Sequence, residues 1–308
     1  MNSLYGIKKM KKILVVMSLS FGFISAHAAD EGAPKSIAGP VRALTMPALD
    51  DAVLLKQQLA GKQRSVLHKM RDKYRHPQQT LEFFDVKASM TVVEIWPGEG
   101  WYTEILAPYL KDKGKLYAAH FSADSDQPHY KKSLQVFANK LNAQPKIYGK
   151  VELTVLEPPK FLQIAPDGSA DRVLTFRNVH NWMKSDQAAT VFNAMYKALK
   201  PGGILGIVEH RNSPLKPQDV HALSGYVTED YVIALARNAG FEFLEKSEIN
   251  ANSKDTKDYP EGVWTLPPVL KLKDKDRKKY LEIGESDRMT IKFIKPKPVL
   301  TTFLPEPF

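Results

Sequence analysis

Cysteine is absent from the chain, which excludes disulfides, thiolate metal sites, iron–sulfur clusters, cysteine nucleophiles and lipidation on cysteine. No G-x-S-x-G elbow supports a hydrolase. No H-x-x-x-H or H-x-H pair sets two imidazoles on one element, so no metal is expected from His120, His180, His210 and His221. There is no internal repeat. Glycine and proline, 17 and 21 of 308 residues, stay near the ordinary globular share and exclude a collagen-like or low-complexity chain. Hydrophobic residues make up 43% and charged residues 25%, enough to bury the core of one large domain or two small ones.

The N-terminus reads as a segment to set aside. Lys8, Lys9, Lys11 and Lys12 form a basic start, Ile13 to Ser25 an apolar run, and Ala26-His27-Ala28 a small-x-small cleavage site. Together these predict a signal peptide over 1–28, with an exported, periplasmic mature protein starting at Ala29. The apolar run is about 13 residues, too short to span a bilayer as a helix, and nothing later approaches 18. Removing the four lysines takes the basic residues from 44 to 40 against 34 acidic ones, a net of +6. With no recognised binding module beside this mild excess, nucleic acid is not an expected partner.

Residues 29–79 read as an N-terminal extension, Ala-, Gly- and Pro-rich at first and then helical over Leu54 to Tyr74 and Gln78 to Phe84. From Met90 onward short apolar runs alternate with helical segments. Strands are expected at Thr91–Trp96, Lys115–Phe121, Val151–Leu156, Asp171–Phe176, Gly203–Glu209, Phe241–Ile249 and Met289–Ile294. Helices are expected at Tyr102–Leu110, Tyr130–Leu141, Asp186–Leu199 and Glu229–Ala239. This alternation predicts an α/β fold, a three-layer doubly wound, mostly parallel seven-stranded sheet. Residues 80–297 form that domain, about 250–288 break the rhythm as an insertion, and the Pro-rich 298–308 form an extended tail.

The sharpest local signal is Val92-Val93-Glu94-Ile95-Trp96-Pro97-Gly98-Glu99-Gly100-Trp101-Tyr102. A buried strand runs into a glycine turn and then a helix N-terminus, a geometry that lets backbone approach a ligand. A dinucleotide dehydrogenase would carry a third glycine where Thr103 stands.

The chain resembles class I S-adenosylmethionine-dependent methyltransferases over about residues 80–297. The landmarks are Glu94 with Gly98 and Gly100, the run Asp171 to His180, and Leu199-Lys200-Pro201-Gly202-Gly203. More narrowly, Tyr74-Arg75-His76-Pro77, Trp96-Pro97-Gly98 and Phe176-Arg177-Asn178-Val179-His180-Asn181-Trp182 look like a group of predicted, exported bacterial methyltransferases. The resemblance implies a Rossmann-like methyltransferase fold, S-adenosylmethionine as cofactor and a small-molecule methyl acceptor.

It further implies a cofactor side made by Glu94, Trp96, Gly98, Gly100, Tyr102, His120, Glu157 and Arg177, and chemistry at Asn178, His180, His210 and Arg211. His180 is the candidate base, because methyl transfer needs positioning and sometimes removal of a proton. Two positions depart from the family. Trp96 stands where many members have the first glycine, which implies a differently shaped turn, and the second strand ends in His120 rather than a ribose-binding acid, with Asp124 the nearest acid beyond it. These departures give the alternative reading, a binding or scaffold protein that keeps the fold without turnover.

Overall fold

The computed structural model describes residues 50–298, so the expected signal peptide, the start of the extension and nearly all of the expected tail lie outside the described residues. In chain order the elements are α1 (Asp51–Ala60), α2 (Val66–Lys69), α3 (Asp72–Arg75), α4 (Pro77–Phe83), β1 (Thr91–Ile95), α5 (Thr103–Leu110), β2 (Lys115–His120), α6 (Pro128–Ala143), α7 (Pro145–Tyr148) and β3 (Val151–Val155). They continue with β4 (Ala170–Phe176), α8 (Val179–Lys184), α9 (Ala188–Ala198), β5 (Leu199–His210), α10 (Glu229–Asn238), β6 (Glu242–Ser247), a 3-10 turn at Gly262–Thr265, α11 (Arg277–Ile283) and β7 (Arg288–Ile294).

The strands form one seven-stranded sheet, as the alternation in sequence predicts, and their order is β3-β2-β1-β4-β5-β7-β6. All neighbours pair in parallel except β7, which runs antiparallel between β5 and β6. Successive side chains of a strand face opposite ways. Val93, Ile95, Val173, Leu205 and Ile207 therefore sit under Trp182, Phe192, Met195 and Val232 of α8, α9 and α10. Val92, Leu174 and Val208 pack instead on Leu55, Leu81, Ile105 and Leu106 of α1, α4 and α5. Both faces are covered, so the fold is the three-layer doubly wound class, and the strand order reverses at β1. Ligands of such sheets bind outside the carboxyl ends of the strands at that reversal.

The single helix expected over Leu54 to Tyr74 is three short ones. Gly61 leaves α1 with extended backbone, its N–H on the Gln58 carbonyl, and the Ser65 hydroxyl starts α2 by accepting from the His68 N–H at 3.1 Å. The apolar stripe that suggested continuity does not face the core: Leu55 is buried, but Val66, Leu67 and Met70 are 63% exposed or more. Helix α8, six residues long, was below the length that periodicity reveals. Among the described residues no helix is long and apolar enough to cross a membrane.

Gly206, in the middle of β5, is a position where this packing leaves little room: a Cβ there would stand 2.8 Å from Leu174 and Phe84. Gly206→Val is expected to lower stability by about 1–3 kcal/mol through overpacking. Urea unfolding measures this, and a variant as stable as the parent would contradict the packing described.

Candidate functional site

The chain leaves β1 through Trp96-Pro97-Gly98-Glu99-Gly100, with φ of 44° at Trp96, 59° at Gly98 and 82° at Gly100. Trp96 thus takes the left-handed backbone that a glycine would favour. Its cost is of order 1 kcal/mol or more. The indole holds it in place, donating from Nε1 to the Leu156 carbonyl at 2.8 Å and packing on Phe121 and Trp182. A Cβ at Gly98 would meet nothing within 4 Å, whereas one at Gly100 would press on Phe137 at 3.0 Å. Gly98 therefore faces open space and Gly100 faces protein.

Glu94, at the end of β1, is 2% exposed and accepts from the Thr103 hydroxyl at 2.6 Å. Burial raises its carboxyl from the ordinary value to about 7, against that hydrogen bond and the more distant Lys140 charge.

His120 and Glu157, expected on the cofactor side, do not line the cavity beside this turn. His120 is fully buried; its Nδ1 accepts from the Phe121 N–H at 2.8 Å, which leaves Nε2 to donate to the Gly98 carbonyl at 3.2 Å. Desolvation lowers its imidazole to about 4 and keeps it neutral. Both ring nitrogens are engaged, so the expected ribose contact gives way to a brace under the glycine turn. The Glu157 carboxylate accepts from the Ser122 N–H at 2.8 Å and fixes the loop after β2. Asp124 is exposed.

The ends of β4 and β5 bring the expected chemical residues to the same place. Gly98, Arg177, Asn178, His180 and His210 line one cavity of about 330 Å³ together with Glu94, Trp96 and Tyr102. Arg177 takes φ 63°, and its N–H donates to the Val208 carbonyl at 2.7 Å. The Asn178 amide donates to the Ile95 carbonyl at 3.0 Å, tying the end of β4 to β1. Tyr102 stacks on Phe176 with centroids 3.6 Å apart, and burial pushes its phenol up to about 12.

His180 Nδ1 lies 3.0 Å from Oε1 of Glu209, whose carboxylate is wholly buried and also accepts from the His210 N–H at 2.7 Å. A carboxylate can only accept, so in the neutral ring Nδ1 carries the proton and Nε2 the lone pair. His210 Nδ1 is bonded to the Ser286 hydroxyl. Burial lowers the His210 imidazole well below its ordinary value, reinforced by His180 and the charges of Arg177, Arg288 and Arg75.

Arg211 lies apart from this group. It bonds Asp287, Glu229 and Glu248 at 2.7–3.1 Å and lines a second cavity, so it is not among the residues at the ends of β4 and β5 that meet Gly98.

Several residues of the site had no signal of their own in the sequence. The segment between β6 and β7 supplies Val263, Trp264, Pro267, Pro268, Val269, Glu285 and Ser286 as one wall, and the N-terminal helical segment supplies His68, Arg71 and Arg75. The broken rhythm at 250–288 marks the first group and Tyr74-Arg75-His76 touches the second. His180, Glu209 and His210 also place one ligand atom each within 4.8 Å of the others, a set that the histidine spacings did not suggest.

The raised Glu94 carboxyl has a stability consequence. The folded state holds a proton that the unfolded state has released, so between pH 4.5 and about 7 stability falls as pH rises, and above 7 the loss is complete. A shift from 4.5 to about 7 corresponds to roughly 3 kcal/mol. Glu94→Gln has no such proton, so its stability relative to the parent should climb by that amount across the window. Denaturant unfolding at several pH values measures it, and parallel curves for the two proteins would refute the assignment.

No family model matches the chain, and no curated protein sequence does. Solved structures share its fold at low identity. The (4+2)-cyclase SpnF is 16% identical with a TM-score of 0.51, over 80% of this chain and 94% of that one. A SAM-dependent methyltransferase from Aquifex aeolicus is 17% identical with a TM-score of 0.49, over 80% and 99%. Phosphoethanolamine N-methyltransferase 2 of Haemonchus contortus, in complex with S-adenosyl-L-methionine, is 14% identical with a TM-score of 0.45, over 73% and 53%. The chain has the Rossmann-like, doubly wound fold of this structural class.

Proposed function

We propose that the protein binds S-adenosylmethionine at the turn after β1 and catalyses transfer of its methyl group to a small-molecule acceptor held in the adjoining cavity. The observation that carries this is the turn itself: Gly98 opens onto empty space beside a buried carboxyl, Glu94, bonded to the Thr103 hydroxyl and to no cation, at the reversal of the sheet. These residues fit the amino-acid end of the cofactor. The backbone at Gly98 admits close approach, and the Glu94 carboxylate suits an ammonium group. The neighbours of like fold include proteins whose descriptions name this cofactor, which supports the reading.

When bound, the cofactor would supply a methyl group activated on a sulfonium sulfur, its S–CH3 bond breaking as the acceptor's bond to carbon forms and S-adenosylhomocysteine leaving as the neutral thioether. The protein's task is then to position the two and to receive the acceptor's proton. His180 does the second, since Glu209 fixes its Nδ1 proton and leaves Nε2 as the basic atom. Asn178 acts through position: its amide holds the end of β4, and with it His180, against β1. The reading extends to an exported protein, with the N-terminal 28 residues as its signal peptide.

Calorimetric titration with S-adenosylmethionine and S-adenosylhomocysteine tests the cofactor. Gly98→Val should weaken binding at least about tenfold, equivalent to ~1.4 kcal/mol, while circular dichroism shows a folded protein, because the added methyls meet no protein atom and a side chain at φ 59° costs about 1–2 kcal/mol. Equal affinity in parent and variant, or no binding to the parent, would overturn the reading.

A further inference from the structure

The wall of the cavity opposite the glycine turn is cationic beyond what the protein itself neutralises. Arg71, Arg75 and Arg177 line it, and Arg288 lies directly behind, 2% exposed. One carboxylate, Glu285, serves three of them: it is 2.6 Å from Arg71 Nε, 3.5 Å from Arg75 Nε and 3.3 Å from Arg288 Nη1. The other acid whose charge reaches Arg177 is Glu209, already bonded to His180 and His210. Asp287 reaches Arg288 but is paired with Arg211 and Lys257, so the four guanidiniums share Glu285 and two acids already engaged elsewhere. Glu94 and Glu99 line the cavity too, but Glu94 belongs to the glycine turn and Glu99 is exposed at the rim.

Hydrogen bonding shows the same deficit independently. Nη2 of Arg71 and Nη2 of Arg75 are buried and have no acceptor, although Arg75 is only 3% exposed. A guanidinium carries five N–H donors and a buried donor without a partner is costly. Two such atoms on neighbouring arginines of one cavity define a place for a group with several oxygens. Arg presents a planar fork that suits carboxylate and phosphate.

We infer that the methyl acceptor is an anion, with a phosphate or carboxylate group seated among Arg71, Arg75 and Arg177 and an apolar body against Trp264 and Phe176. This rests on the cofactor reading above and names the substrate class for it. The cofactor cannot itself supply the missing charge: its amino-acid end is a zwitterion, and the sulfonium makes it cationic as a whole. Its arrival leaves the excess larger, and an anionic acceptor offsets it. The same surplus disfavours a divalent cation at His180, Glu209 and His210, and leaves that cluster to proton transfer.

The test is calorimetric titration of the protein with phenyl phosphate, benzoate and uncharged benzyl alcohol, with and without saturating S-adenosylhomocysteine. The inference expects the anions to bind at least about tenfold more tightly than benzyl alcohol, to bind alongside S-adenosylhomocysteine, and to weaken as NaCl is raised. Arg71→Gln, partly exposed and with Glu285 still held by two other arginines, should reduce anion affinity about tenfold and leave S-adenosylhomocysteine affinity unchanged. Arg177→Gln should lower anion affinity to a similar degree. Equal affinity for charged and uncharged probes would overturn the inference. So would one-for-one competition between anion and S-adenosylhomocysteine, which would give the arginines to the cofactor's own carboxylate and leave the cofactor reading intact. Anion binding with no S-adenosylhomocysteine binding would instead remove the cofactor reading, and the acceptor role with it.

Discussion

Glu285 accepts from Arg71 of the N-terminal segment, lies within 3.5 Å of Arg75 in α3, and pairs with Arg288 at the start of β7. Burial alone would raise its carboxyl, but the Arg288 and Arg75 charges hold it at about 2, so it stays ionised throughout the useful pH range. Among the described residues no sheet hydrogen bond joins the N-terminal helices to the segment between β6 and β7, and side-chain contacts hold them together, this one and the Asn250 amide donating to the Thr80 hydroxyl at 3.0 Å. Removing one partner of such a buried cluster costs about 3–5 kcal/mol, since the remaining charges are left uncompensated. Arg288 reinforces it by donating to the Tyr74 carbonyl at 2.7 Å. Two stretches that read as additions to the domain are in this way made parts of one site.

The sheet supplies the remaining sides by topology. Reversal of strand order at β1 brings the ends of β1, β4 and β5 to one edge, where the glycine turn, Asn178, His180 and Glu209 meet. Fold and reaction are separable, however, because one architecture hosts many chemistries. What is particular to this protein is the chemistry of its side chains. Glu209 orients one imidazole, Ser286 engages the next, and the arginines set the charge around both.

What the sequence shows and what it hides follow from the range of the interactions. Strand-helix alternation, the turn at Gly98 and the polar cluster after Phe176 are local patterns, and the sheet and cavity are built on them. The Arg71–Glu285 pair spans 214 positions and has no local signature. The apolar spacing of Val66, Leu67 and Met70 misleads because periodicity records which residues share a face, not whether another element covers it. His120 stands where its sequence position suggests a ligand contact, but the Phe121 N–H and the Gly98 carbonyl claim its ring first. That choice is made by the turn, within about three ångströms, and leaves no trace in residue order.

The chain has four tryptophans, and their placement ties its optical properties to the site. Trp96, Trp101 and Trp264 line the cavity, and Trp182 packs edge-on against Trp96 with ring centroids 5.7 Å apart. Trp101 lies between two guanidiniums, Arg64 at 5.0 Å and Arg75 at 4.6 Å from its ring. No indole among the described residues reports on a distant surface. The intrinsic ultraviolet fluorescence of this protein is therefore emission from the cavity and its immediate lining, and an unlabelled molecule that enters announces itself in the light the protein already gives.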